Sequence, residues 1–321
     1  MKLRQALIIS ILWLPNLTAY SQEYSQTYKV VASDRGAGDY FGKPVSISGN
    51  YAIVGASMED EDVSGGISLD NAGSAYIFER DTDGNWNEIQ KIVASDRAAE
   101  DRFGNSLSIS GNYAIAGAWF EDEDTAGENT LDEAGSVYIL KRDGYGNWNE
   151  AQKIVASDRA AEDHFGRSIS IAGSYIIVGA TQEDEDTAGN NTFSDAGSAY
   201  IFTQDGNGKW YEKQKIVASD RAMEDHFGLS VDISDRYAVI GARDEDEDTQ
   251  GENTIEDAGS AYIFERDGNG KWIEVQKVVA PFRGVGDQFG VSVGISNHYI
   301  VIGASTDDED ALESDSLTNA G

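Results

Sequence analysis

The sequence predicts an all-β chain: a β-propeller of four-stranded blades on a 62-residue repeat, truncated in the fifth blade. The first observation is a Phe-Gly pair at Phe41, Phe103, Phe165, Phe227 and Phe289, each 62 residues after the last. The second is that other pairs keep the same register. Gly-Ala begins at Gly55, Gly117, Gly179, Gly241 and Gly303, and Ala-Gly at Ala72, Ala134, Ala196, Ala258 and Ala320. The third is that each unit holds four short apolar runs split by turn residues, with no helical periodicity. A strict period of this length marks a repeat architecture, and four strands per unit are the size of a propeller blade.

Within the unit from Arg97 to Asp158, Asn105 to Ser110 alternates small polar and apolar residues, as a strand with two different faces does. Gly111-Asn112 turns the chain into Tyr113 to Ala118, whose denser apolar content suits burial on both sides. A long acidic loop precedes the third strand, Gly135 to Arg142. Asp143-Gly144-Tyr145-Gly146 is a hairpin signal, and the fourth strand runs from Trp148 to about Ser157. The Phe of each Phe-Gly is expected between neighbouring blades, and its Gly where a positive φ or a close backbone approach is needed. Trp86, Trp148, Trp210 and Trp272 share one position and read as packing. Tyr28 to Ser33 matches a fourth strand, while the unit after Phe289 carries only its first two strands before Gly321. The chain therefore reads as cut short inside a blade, or else as five blades with an incomplete closing one.

Residues 1–21 stand outside the repeat. Lys2 and Arg4 precede an apolar run from Ala6 to Leu17, and Ala19-Tyr20-Ser21 offers small residues for cleavage before Gln22. This is the pattern of a secretory signal peptide. The run is shorter than the ~20 residues a spanning helix needs, so no transmembrane segment is expected. The mature chain, residues 22–321, is expected to be secreted or at the cell surface. Without cysteine, disulfides contribute nothing. A formal charge of −33 excludes nucleic acid as a partner, because phosphates would be repelled.

The string DHFGRSISIAGSYIIVGA and its four relatives, preceded by KIVASD and followed by AGSAYIF, resemble FG-GAP repeats, the blades of the integrin α-chain propeller. The likeness is to the bacterial secreted branch and covers essentially all residues after the leader. It implies a propeller, commonly of seven blades, used for binding outside the cell or at its surface. Integrin blades hold calcium between strands one and two, but here that connection is only Ser48 to Tyr51. It is too short and too poor in carboxylates, so the family's calcium site does not carry over to it.

Acidity is concentrated elsewhere. The unit from Arg97 to Asp158 has twelve acidic and five basic side chains, and the seven acids between Glu121 and Glu133 account for the whole imbalance. Strand order puts these loops on one face of the disc, with the loops joining strand four to the next strand one. Dense carboxylates suit a hard cation with oxygen ligands, and calcium is the candidate cofactor. The candidate ligands are Asp60, Asp62, Asp122, Asp124, Asp184, Asp186, Asp244, Asp246, Asp248, Asp308 and Asp310. Asp244, Asp246 and Asp248 with Gly251 come nearest to a DxDxD arrangement. A merely solvated acidic loop is the other reading.

The two residues after Gly-Ala differ in every unit: Ser57-Met58, Trp119-Phe120, Thr181-Gln182, Arg243-Asp244 and Ser305-Thr306. Trp119, Phe120 and Arg243 are therefore the candidate ligand contacts. An exposed aromatic pair beside carboxylates suits a cationic or sugar partner, unless both rings pack under their own loop. His164 and His226 share a position with Tyr40, Arg102 and Gln288 and read as surface residues. No nucleophile with a base and no phosphate loop is present. The expected function is a non-enzymatic binding or adhesion module with a protein or carbohydrate ligand on the acidic face. The alternative is an accessory propeller of a secreted carbohydrate-active enzyme or lectin whose catalytic part lies outside these residues.

Overall fold

The computed structural model describes residues 28–296 and 299–307, so the expected leader lies outside the described residues. Four sheets of four strands follow one another, each with its strands in chain order. Blade one is β1 (Val45–Ser48), β2 (Tyr51–Ala56), β3 (Ser74–Arg80) and β4 (Trp86–Ile92). Blade two is β5 (Ser106–Ser110), β6 (Tyr113–Ala118), β7 (Ser136–Arg142) and β8 (Trp148–Ile154). Blade three is β9 (Phe165–Ala172), β10 (Tyr175–Ala180), β11 (Ser198–Gln204) and β12 (Trp210–Ile216). Blade four is β13 (Ser230–Ile233), β14 (Tyr237–Ala242), β15 (Ser260–Arg266) and β16 (Trp272–Val278). The fifth unit is a pair, β17 (Phe289–Ile295) and β18 (Ile300–Ala304). All pairings are antiparallel, and a bulge between strands three and four, such as that at Ile139/Leu140, recurs in each complete blade.

Residues 28–33, expected as a fourth strand, form no strand. The third strand that would pair with such a strand precedes it in every complete blade. The segment nevertheless docks as its repeats do. Ala32 is buried with Tyr76 and Phe78, and the Ser33 hydroxyl donates to Glu88 as that of Ser95 does to Glu150.

First strands of successive blades pack against one another and line the inner edge of the array. The joints explain why the repeat is so strict. Phe103 is fully buried with Ala75 and Ile77 of blade one and Tyr138 and Leu140 of blade two. Gly104 has φ +81°, and a Cβ there would lie 2.6 Å from the Ser74 carbonyl oxygen, so only glycine lets the blades meet. Farther out, Tyr51, Tyr113 and Tyr175 each meet edge-on the Trp of the next blade, at 5.7–5.8 Å. Strand one supplies the other apolar contact. Leu107 and Ile109 are 7% and 5% exposed against blade one, whereas their counterparts Val45 and Ile47 are 65% and 64% exposed.

Candidate functional site: the acidic loops and the axial mouth

In the four complete blades the acidic loop begins with a glutamate that the sequence presents as surface charge and the structure buries: Glu59, Glu121, Glu183 and Glu245. Glu121 is 2% exposed and accepts from the Ser136 hydroxyl at 2.5 Å and from Lys153 Nζ at 2.8 Å. Lys153 also reaches Asp96, at 2.8 Å, on the loop arriving from blade one, and Asp96 accepts from the Tyr138 hydroxyl at 2.7 Å. Burial opposes the Lys153 charge, but its bonds to Asp96 and Glu121 outweigh burial and raise its pKa. Burial, with the Glu121 and Asp96 charges, raises the Tyr138 phenol strongly, so it stays a donor. The same Lys-Asp-Glu-Tyr group occurs at Lys91-Asp34-Glu59-Tyr76, Lys215-Asp158-Glu183-Tyr200 and Lys277-Asp220-Glu245-Tyr262. It ties each acidic loop to its own blade and to the connection that enters that blade.

The predicted aspartate ligands are also engaged within their own loops. Asp60, Asp122, Asp184 and Asp246 accept the backbone N–H eleven residues on, at 2.8–2.9 Å. Asp62, Asp124, Asp186 and Asp248 each close a tight turn. Asp124 Oδ1, for example, accepts from Ala126 N at 2.8 Å and Glu128 N at 3.1 Å. These bonds hold the four carboxyls below the usual range, Asp62 at about 2. Asp244 bonds to His226 Nδ1 at 2.7 Å and to Arg243 Nε at 2.9 Å. Asp308 and Asp310 lie outside the described residues. The acidic group that does converge among the described residues is Asp96, Glu121 and Glu123, with ligand atoms within 4.8 Å of one another. Three carboxylates are a donor set for a hard cation. Lys153 already stands between two of them.

Trp119 and Phe120 are half-buried, and their faces are covered. The rings stack at 3.8 Å; Arg167 lies over Trp119 at 4.4 Å and Arg102 over Phe120 at 4.3 Å. The result is a column, Arg167-Trp119-Phe120-Arg102, spanning blades two and three. His164 stands edge-on to Trp119 at 4.6 Å, and its Nε2 meets Glu133 at 2.9 Å. The aromatic pair is thus neither an open stacking platform nor buried under its own loop; it is the support of two guanidiniums. The expectation that His164 is a surface residue is corrected too, since its side chain is only 13% exposed.

Three sets of variable positions meet where strand one enters and strand two leaves the inner edge. One is the pair after Gly-Ala. A second is the residue before Phe-Gly: Tyr40, Arg102, His164, His226 and Gln288, all at φ 53–56°. The third, missed in reading the sequence, follows Phe-Gly: Lys43, Asn105, Arg167, Leu229 and Val291. Comparing the units at that offset would have found it. Among these positions the charged residues are Lys43, Arg102, Arg167 and Arg243 against a single acid, Asp244, so the variable set is net basic beside the acidic loops.

Four-stranded antiparallel units joined at their first strands, with variable side chains gathered at one end of the axis, define a propeller-type repeat protein. The FG-GAP repeat family model matches residues 24–78, 86–140, 148–202, 210–264 and 272–317, and the chain belongs to that family. No curated protein matches the chain. Among solved structures, a protein from Lactobacillus plantarum is similar over 79% of this chain, at 16% identity and a TM-score of 0.45. The match spans 55% of that protein's length. Among the described residues no helix is long and apolar enough to cross a membrane.

Proposed function

We propose that the chain is a secreted or cell-surface binding module, without enzymatic activity, that engages a protein or carbohydrate ligand at the axial mouth of its acidic face. One observation carries this reading: residues that repeat are used up in the joints, while residues that vary gather at the mouth. The backbone before Phe-Gly supports it, because five non-glycine residues of four types hold a left-handed φ that costs roughly 1–2 kcal/mol each. Calcium enters the reading through Asp96, Glu121 and Glu123, where it would compete with the Lys153 ammonium. Calcium titration should therefore raise the melting temperature of Lys153→Met more than that of the parent.

The test of the module is an array of peptides and glycans probed with the parent and with a mouth-swap variant. Trp119→Thr and Phe120→Gln install the third unit's residues, which the fold accepts at Thr181 and Gln182. Capture of a ligand by the parent and its loss in the swap, with the fold retained, is the expected outcome. An array on which the parent captures nothing, or the swap captures the same ligands, removes the reading.

A further inference from the structure

We propose that the axial mouth takes one carboxylate offered at the centre of an otherwise basic protein surface, with Arg167 as its main donor and Arg243 as the second. The inference rests on the binding-module reading and gives it a ligand chemistry. In a chain of net charge −33, Lys91, Lys153, Lys215 and Lys277 have two carboxylate partners each, and Arg97, Arg159, Arg221 and Arg283 donate to backbone carbonyls of the preceding acidic loop. Arg167 has no such partner among the described residues. It is half-buried, its guanidinium lies over Trp119 at 4.4 Å, and burial, with the nearby charge of a second guanidinium, Arg243, lowers its pKa.

Four carboxylates lie around the mouth. Glu133 bonds to His164, Asp244 bonds to both His226 and Arg243, Glu100 lies 3.7 Å from Arg102, and Asp257 lies within reach of the Arg243 charge. A desolvated guanidinium with its edge unpaired is built to accept a bidentate carboxylate. The rim selects the rest of the partner. Glu123, Asp124, Glu128 and their repeats surround the mouth, so a polyanion is repelled before it arrives, whereas a basic surface is drawn in. The partner's charge pattern is thus the inverse of this one: positive outside, with one Asp or Glu at the centre.

The test uses residues 22–321 and three immobilised probes at near-physiological salt: a lysine-rich peptide with one central Asp, the same peptide with Asn there, and an oligouronate. Variants are Arg167→Leu, which copies Leu229 one unit on, and Arg243→Thr, which copies Thr181. The parent should bind the Asp peptide about tenfold or more tighter than the Asn peptide, as expected for one charge-assisted bidentate contact. Both variants should close that gap while still binding the Asn peptide through the rim and keeping the parent's melting temperature. Equal binding of the two peptides, no binding of either, or a preference for the oligouronate overturns the proposal. The module reading survives any of these if the array still yields a ligand lost in the mouth swap.

Discussion

Removing one ammonium from a joint tests most directly how the acidic loops work. In Lys153→Met the stem of the side chain is kept and its charge is lost, so Asp96 and Glu121 face each other without their shared partner. The side chains of Lys153 and Glu121 are 6% and 3% exposed, so solvent screens little of this. Breaking a buried pair by deleting one member costs about 3–5 kcal/mol, mainly because the remaining charge is stranded. For a chain of this size, at about 2.1 cal/mol/K of unfolding entropy per residue, that is a fall of roughly 5–8 °C in melting temperature. Adding Glu121→Gln should recover much of the loss, since the amide oxygen still accepts from Ser136. Circular dichroism melts at pH 7 on the three proteins suffice. A Lys153→Met protein melting within about 2 °C of the parent at pH 7 would refute the argument that the loop charge is structural.

Two further outcomes follow from the same geometry. Burial, reinforced by neighbouring acids and only partly offset by a backbone N–H, lifts the carboxyls of Asp101, Asp163 and Asp225 to about 7, 8 and 7. Their folded pKa lies above the unfolded one, so stability should rise by several degrees of melting temperature as pH falls from about 8 to 5. A melting curve series that is flat over this window, or that is unchanged by Asp→Asn at all three positions, contradicts the assignment. Gly135→Ala places a Cβ 2.1 Å from the Phe165 carbonyl oxygen at φ +84° and should cost more than about 2 kcal/mol by denaturant titration. Ala at Gly144, which meets nothing within 4 Å and has no positive φ, serves as the tolerated control.

The strands and joints were legible because they rest on local pattern. Tyr113–Ala118 is found where its apolar density places it, and only the fourth strand ends early, at Ile154 instead of near Ser157. The acidic loop was legible as an amount of charge but not as a direction. Glu121 and Lys153 are far apart in sequence, and nothing in either segment shows that one sits on the other. A carboxylate used as a turn cap, such as Asp124, looks in sequence like one waiting for a metal. The histidines were set aside because their position accepts several chemistries; at the mouth that same variety is the signal. Arg167 escaped for a simpler reason, since its offset was not compared between units.

The left-handed residue before each Phe-Gly has one further consequence. Its Cα–Cβ direction is set by the backbone and by the glycine joint behind it, so the socket stays the same whichever side chain occupies it. Tyr40, Arg102, His164, His226 and Gln288 are five occupants of one such socket. On the proposed reading, a lineage carrying this scaffold can change the mouth by side-chain exchange while the glycine joints behind it stay the same. On that reading recognition and folding rest on separate residues, and each blade carries its own socket together with the structure that holds it.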